Sequence, residues 1–455
     1  MTENVTVPCI STAAEQLARE LSARLENALP SPGGDRISST AQQAATSAGA
    51  GWERASLNRH AGISILFAHL GHRDGKPHPT THAYLLEAVT ALQTRTPIPG
   101  SLYYGMPAVA LAASIAAQEP AHYSGLLSYL DETISSGIRR ITIQQRPNFN
   151  SKLSGTTPSM YDVISGLSGL GRYALTRGHP MRPAAEAALK YLVSLTEPVM
   201  VDGQPVPGWW IAQPPPLSHR NSFTRGYFDL GIAHGIAGPL ALLSRATLNG
   251  LTVDGQTSAI ECITDWLLSW TSTDDHGPYW PTIVSLEEEQ HQAPRPRNRS
   301  RGAAWCYGTP GIARAIQLAG QALARPRWQQ TALTATQAIF DRADHQETLY
   351  DTGLCHGWAG LLQSLLRIIE DSHDNTLPTR ISELTQRIID QYDPALPYGY
   401  RHHSPDPRPS NDLDDAGYLT GAAGIALALL NAADHIAHRP SPPHAPPWDT
   451  ALLIP

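Results

Sequence analysis

The sequence predicts an all-α protein of the α/α toroid class, a six-fold double-layer helical barrel carrying a small proline-rich inserted segment. Three observations lead there. Most segments space their apolar residues with helical period, and few alternate with period two. One motif, Gly-x-x-Gly opening an apolar helix, recurs along the chain. Successive copies are separated by 49 to 73 residues, which leaves room for one further helix and its loops in each interval.

Composition bounds the rest. The chain has 455 residues, of which 41% are hydrophobic, enough for a sizeable core. Charged residues make up 16%, and the formal net charge is −7. With no polybasic run, nothing marks a nucleic-acid or membrane-surface partner. No apolar run reaches the roughly 18 residues of a membrane span. The N-terminus lacks the basic and apolar regions of a secretory signal, so the sequence points to a cytoplasmic protein. Four cysteines are too few for a disulfide framework, and free thiols fit a reducing compartment.

In chain order, residues 1–55 read as an N-terminal helix followed by a flexible linker. Leu17, Leu21 and Leu25 give the helix an apolar stripe, and residues 28–50 are rich in Ser, Gly, Ala and Pro. Residues 56–438 form the expected toroid. Within them, segments 121–138, 182–195, 257–271, 328–343 and 378–392 have helical spacing with polar outer faces. Residues 197–228 differ: six prolines around Trp209 and Trp210 forbid a regular helix. They are expected to form an inserted loop subdomain, with the two tryptophans as a peptide-contact surface or a local aromatic cluster. Segment 285–301, acidic and then basic, reads as a surface loop. The tail 439–455 is proline-rich and ends in apolar residues expected to dock back.

The six copies are YYGMPAVALAA at Gly105, ISGLSGLGRYAL at Gly166, AHGIAGPLALL at Gly235, CYGTPGIARAI at Gly308, CHGWAGLLQSL at Gly357 and LTGAAGIALAL at Gly421. The first has Ala108 in place of the second glycine. Glycines there would let inner helices start with their backbones close together. Two positions before the first glycine stand Cys306 and Cys355, in adjacent copies; His356 follows Cys355, and His234 occupies the column of His356. In a toroid, adjacent copies are neighbours, so Cys306, Cys355 and His356 form a candidate Cys₂His zinc set with an open fourth position. His234 is then an acid or base, or alternatively a fourth ligand. Cys9 and Cys262 lack this context and read as core residues, and His402 and His403 read as part of a solvated loop.

WCYGTPG (305–311), CHGWAG (355–360) and AHGIAG (233–238) resemble the three signature motifs of the lanthionine synthetase C-like family, the lanthipeptide cyclases. The resemblance runs from about Gly100 to Leu430. It implies an α/α toroid, one zinc ion per chain, and addition of peptide cysteine thiols to dehydroalanine or dehydrobutyrine, giving lanthionine and methyllanthionine thioether rings. The implied partner is a dehydrated precursor peptide, leader plus core. Without a fused dehydratase half, the chain resembles the stand-alone class I cyclases, which work beside a separate dehydratase. By the same resemblance Cys306, Cys355 and His356 are the zinc ligands, His234 transfers a proton, Asp162 supports it, and Tyr307 lies near the metal. The family's arginine falls at Gly302 here, with Arg301 one residue further off.

The residues allow the same chemistry. A free thiol has a pKa of about 8.5 and is mostly protonated at neutral pH; zinc would deprotonate it. His234 would protonate the α-carbon after attack, Asp162 would orient its imidazole, and Tyr307 and Arg301 would face the enolate oxygen. Asp162 as a helix N-cap and Tyr307 as a core residue are the structural alternatives. A zinc-containing thiol- or peptide-binding protein of the same fold, without turnover, is the competing function. A zinc prenyl transferase would use a carboxylate ligand, which the doubled cysteine column does not favour.

Overall fold

The computed structural model describes residues 6–29, 52–93, 101–144, 155–215, 223–292, 302–342, 349, 351–372, 377–402, 415–440 and 446–455. Arg301 and His403, and nearly all of the linker 28–50, lie outside these residues, as does the side chain of Cys9.

The long helices in chain order are α1 (Thr6–Asn27), α2 (His60–Arg73), α3 (Pro79–Leu92), α4 (Met106–Ala116), α5 (Ser124–Gln144), α6 (Leu167–Arg177), α7 (Arg182–Ser194), α8 (Ala237–Leu248) and α9 (Gln256–Ser269). A short α10 (Leu286–His291) precedes α11 (Thr309–Ala322), α12 (Pro326–Asp341), α13 (Trp358–Glu370), α14 (Pro378–Asp390) and α15 (Ala422–Ile436). Proline occupies the first turn of α3, α4, α7, α11, α12 and α14. There its missing N–H costs no helical bond and its fixed φ favours helix.

Two kinds of helix alternate. Helices that follow the glycine motif are buried nearly all round: α15 buries Ala422 to Leu430 without interruption. Helices between the motifs bury one stripe, as α14 does with Ile381, Leu384, Thr385 and Ile388. An all-round apolar surface belongs inside a core, and a single stripe to a covering layer.

The chain divides into two compact units. The first comprises residues 1–99, 103–130 and 349–448. In it α3 covers α2, α14 covers α13, and α1 packs along α15 and α14. Ile10, Ala14, Leu17, Ala18, Leu21 and Leu25 are the buried stripe of α1. The second comprises residues 100–102, 131–348 and 449–455. In it α7 covers α6, α9 packs on α8, and α12 covers α11.

Backbone geometry explains the glycines. A Cβ on Gly169, Gly238, Gly311, Gly360 or Gly424 would come within 3.0 Å of the carbonyl oxygen six residues back. No real side chain tolerates that approach, so the turn into each inner helix demands glycine there. Gly62 makes a comparable approach to the carbonyl of Leu57, five residues back. The repeat therefore has a further copy at 57–62, opening α2, in addition to the six read from the motif. Arg59 stands in the place of its first glycine, which hid the copy in the sequence. Neighbouring turns are stitched by their backbones. In the first unit Leu57 N–H donates to the Tyr103 carbonyl, Tyr418 N–H to Leu57, and Cys355 N–H to Leu419. In the second unit Val163 N–H donates to Ala233, and Ala233 N–H to Cys306.

The proline-rich segment contains an antiparallel hairpin, β1 (Val199–Val201) and β2 (Gln204–Val206). Its turn residues Asp202 and Gly203 have φ of 52° and 80°, as an Asp-Gly hairpin turn requires. Strand β3 (Tyr227–Asp229) pairs with residues Ile283–Ser285, which lead into α10. The structure decides between the two readings of Trp209 and corrects two further expectations. Trp209 is 1% exposed and packs edge-on against Trp266 at 5.3 Å, so it belongs to an aromatic core and not to a contact surface. The acidic run after Ser285 is helix and partly buried, not a surface loop. Ser285 and Glu288 form a capping box, and Glu289 accepts hydrogen bonds from the indoles of Trp266 (3.0 Å) and Trp270 (3.1 Å). Cys262 lies on the exposed face of α9 rather than in the core.

Burial pushes the Glu289 carboxyl up, partly offset by the two indole N–H donors. Glu289→Ala would leave both indoles without this acceptor. It is expected to destabilise the second unit by about 2–4 kcal/mol, whereas Glu289→Gln, which keeps an acceptor oxygen, should cost about 1–2. Urea unfolding of the three chains is the check.

The tail docks as expected. Ala451 to Ile454 are buried in the second unit, and the Leu452 and Ile454 carbonyls accept from Trp305 Nε1 (3.1 Å) and Arg314 Nε (2.7 Å). The final residues thus anchor the residue immediately before Cys306.

Candidate active site

In the second unit, three turns of the repeat bring their chemistry together. Asp162 follows a single helical turn, Pro158–Tyr161, and is 1% exposed. Its Oδ1 accepts the Ser165 N–H at 2.6 Å, and its Oδ2 accepts from His234 Nδ1 at 2.6 Å. The carboxylate thus caps the turn and holds the imidazole at once. With Nδ1–H committed to Asp162, Nε2 is the nitrogen left for chemistry. Burial alone would push the His234 pKa down. The hydrogen bond and charge of Asp162, with Asp229 and Cys306 adding to them, raise it above its ordinary 6.5.

The Tyr307 ring stacks on His234, 5.9 Å between centroids and 28° between planes. Burial raises its hydroxyl pKa well above 10. Cys306, the preceding residue, is 3% exposed. Gly231 allows this turn to approach: a Cβ there would stand 2.5 Å from the Cys306 carbonyl and 2.8 Å from the Tyr307 ring.

In the first unit, Cys355 and His356 stand at the entry to α13, Cys355 partly exposed. His356 Nε2 lies 3.3 Å from Asp351 Oδ2, and His402 Nδ1 meets the same oxygen at 2.6 Å. The ligand atoms of Asp351, His356 and His402 all lie within 4.8 Å of one another. His402 is therefore not in a solvated loop but part of this cluster.

Sequence reasoning missed a column of aspartates. Asp229, Asp351 and Asp415 each stand six residues before the first glycine of their copy. Each uses Oδ1 to accept the N–H of the glycine two residues on, at 2.9, 3.0 and 2.8 Å respectively. Their carbonyls accept an N–H from the start of the following helix, which satisfies donors that a helix leaves unpaired. The second oxygens differ. That of Asp415 takes the Thr420 hydroxyl, and that of Asp351 accepts from His402 with His356 Nε2 3.3 Å away. Asp229 is hydrogen-bonded to Tyr307, and burial pushes its carboxyl up to about 7 despite the opposing pull of His234. Reading the column six positions before the first glycine would have found the series.

The sequence profile of the family described as "lanthionine synthetase C-like protein" matches residues 58–442. The chain belongs to the lanthionine synthetase C-like family. Membership makes it an enzyme of the lanthipeptide cyclase class, as the motifs implied. A relative is nisin biosynthesis protein NisC of Lactococcus lactis subsp. lactis. It is 25% identical over 378 residues, covering 81% of this chain and 82% of its own. Among solved structures, nisin cyclase matches with a TM-score of 0.72 at 21% identity, over 89% of this chain and 93% of its own. That likeness gives the lanthionine synthetase C-like chain its fold class, all-α of the α/α toroid kind. No helix among the described residues is long and apolar enough to cross a membrane.

The donors fit a zinc ion by their chemistry. Cysteine sulfur and imidazole nitrogen are its preferred ligands. Asp351 stands 3.3 Å from His356 Nε2, close enough for its carboxylate to orient a ligand ring.

Proposed function

We propose that this chain is a zinc-dependent, stand-alone lanthipeptide cyclase. It adds cysteine thiols of a dehydrated precursor peptide to dehydroalanine and dehydrobutyrine, forming lanthionine and methyllanthionine. The observation that carries the reading is the His234–Asp162 pair at 2.6 Å, stacked against Tyr307 on the turn that bears Cys306. A thiol-binding protein without turnover needs no such acid.

Cys306, Cys355 and His356 hold the zinc in this reading, supported by their shared columns in adjacent copies and by family membership. A zinc ion held there would supply the positive charge that favours the thiolate form of a substrate thiol at neutral pH. The thiolate sulfur bonds to the β-carbon of the dehydrated residue, and the electron pair of the double bond moves to give an enolate. His234, charged and fixed through Nδ1, delivers the Nε2 proton to the α-carbon. The proton released from sulfur restores the charged His234, so one proton leaves sulfur, one arrives at carbon, and the peptide mass is unchanged. Asp162 keeps the ring oriented and favours its charged form. Tyr307 stacks on that ring; for its hydroxyl to stabilise the enolate oxygen, the bond to Asp229 must yield. Arg301 is the cationic candidate for the same oxygen. The protein works in the cytoplasm, where thiols stay reduced, beside a separate dehydratase.

The test is to incubate the protein with a dehydrated precursor peptide and count free thiols by alkylation over time. Thiols should disappear faster than without protein, with His234→Asn slowing the loss about 10²–10⁴-fold. Thiol counts that fall no faster than the blank would leave only the binding reading.

A further inference from the structure

The metal-ligand reading above assigns no task to His402, yet the fold brings it to Asp351 across 51 residues of chain. It contributes an Nδ1–Oδ2 hydrogen bond of 2.6 Å and is itself mostly buried. Asp351 is 3% exposed, and its Oδ1 is occupied by the N–H groups of Thr352 (2.5 Å) and Gly353 (3.0 Å). Those two bonds fix the carboxylate plane. Oδ2 then accepts from His402 Nδ1 at 2.6 Å and has His356 Nε2 within ion-pair distance at 3.3 Å, the two rings 5.8 Å apart. In the equivalent place of the last repeat copy, Asp415 turns its second oxygen to a hydroxyl of its own turn instead. The two-histidine arrangement is therefore not demanded by the turn.

We propose that His402 is a positioning residue for the metal centre: it holds Asp351 so that this carboxylate, 3.3 Å from His356 Nε2, orients the His356 ring as a metal ligand. The inference rests on the zinc reading above. Carboxylates that orient a ligand histidine raise metal affinity about 10–100-fold, and His402 would act through that carboxylate without touching the metal.

The test measures zinc affinity of the full chain by competition with a chromophoric chelator, together with the visible spectrum of the cobalt(II)-substituted protein. His402→Ala should lower zinc affinity about 10–100-fold and shift the cobalt bands. His402→Asn, whose amide N–H can stand where Nδ1–H stood, should restore most of the affinity. His402→Gln, which places its donor one bond further out, should not. Unchanged affinity in His402→Ala, or equal losses in the Asn and Gln chains, would overturn the proposal while leaving the zinc reading intact. If the alanine chain fails to fold, the contrast between Asn and Gln decides the same question. A parent chain that binds no stoichiometric zinc would instead end the zinc reading, and this inference with it.

Discussion

Cys306→Ala is expected to strip the protein of zinc and abolish ring closure. Removing one of three protein ligands should weaken zinc binding by more than about 100-fold, since loss of an outer-shell partner alone costs 10–100-fold. Zinc per chain, measured by plasma mass spectrometry after dialysis, should fall from one toward zero. Thiol consumption should fall to the level of the blank. Cys355→Ala should behave alike, because the two sulfurs hold equivalent positions in adjacent repeat copies. Stability is a separate matter. Cys306 is buried, and the smaller side chain should cost the fold about 1 kcal/mol. Cys262→Ala is the control: its thiol lies on the exposed face of α9 and should change neither zinc nor rate. A zinc-free Cys306→Ala chain that still closes rings at the parent rate would remove the metal from the mechanism.

Asp162→Asn should have the second large effect, a fall of about 10²–10⁴-fold in the rate of ring closure with zinc content unchanged. The carboxylate is what keeps His234 charged against the cost of its burial. With the amide in its place, burial prevails and the imidazole pKa falls. The sign follows directly. An acid must be protonated to act, so the parent rate is sustained up to the raised pKa of His234 and declines as pH climbs through it. In Asp162→Asn that alkaline limb should move to lower pH. Stability follows the same direction. The His234–Asp162 bond contributes in full below the ordinary histidine value of 6.5, and its contribution is lost as pH rises through the raised folded value. Asp162 also caps the turn at Ser165, which asparagine can still do through its carbonyl oxygen. A pH–rate profile of Asp162→Asn that keeps its alkaline limb in place would show that Asp162 serves the turn alone.

The helices were largely legible in the sequence. Apolar spacing at 182–195 and 378–392 gave α7 and α14 to within two residues, because a covering helix must show a single apolar stripe. The glycine motif located the inner helices, because the close approach of backbone to backbone forbids a side chain. It missed the copy at 57–62, where only Gly62 meets that demand and Arg59 stands in the other place. The acidic run Glu287–Glu289 misled in another way. Charge reads as exposure, yet two indole donors make burial of Glu289 tolerable. Nothing local to residue 289 announces partners at 266 and 270.

What the sequence determined by itself was the fold class, the repeat, and the residue types stationed at its turns: Cys306, Cys355, His356 and His234. These depend on local periodicity and on identity within a column, both of which a linear chain displays. What the tertiary structure decided was pairing. It placed Asp162 on His234 across 72 residues and His402 on Asp351 across 51, and it tied Tyr307 to Asp229. Hydrogen bonds act over about 3 Å and are indifferent to separation along the chain, so which oxygen meets which ring is settled only when the turns are packed together.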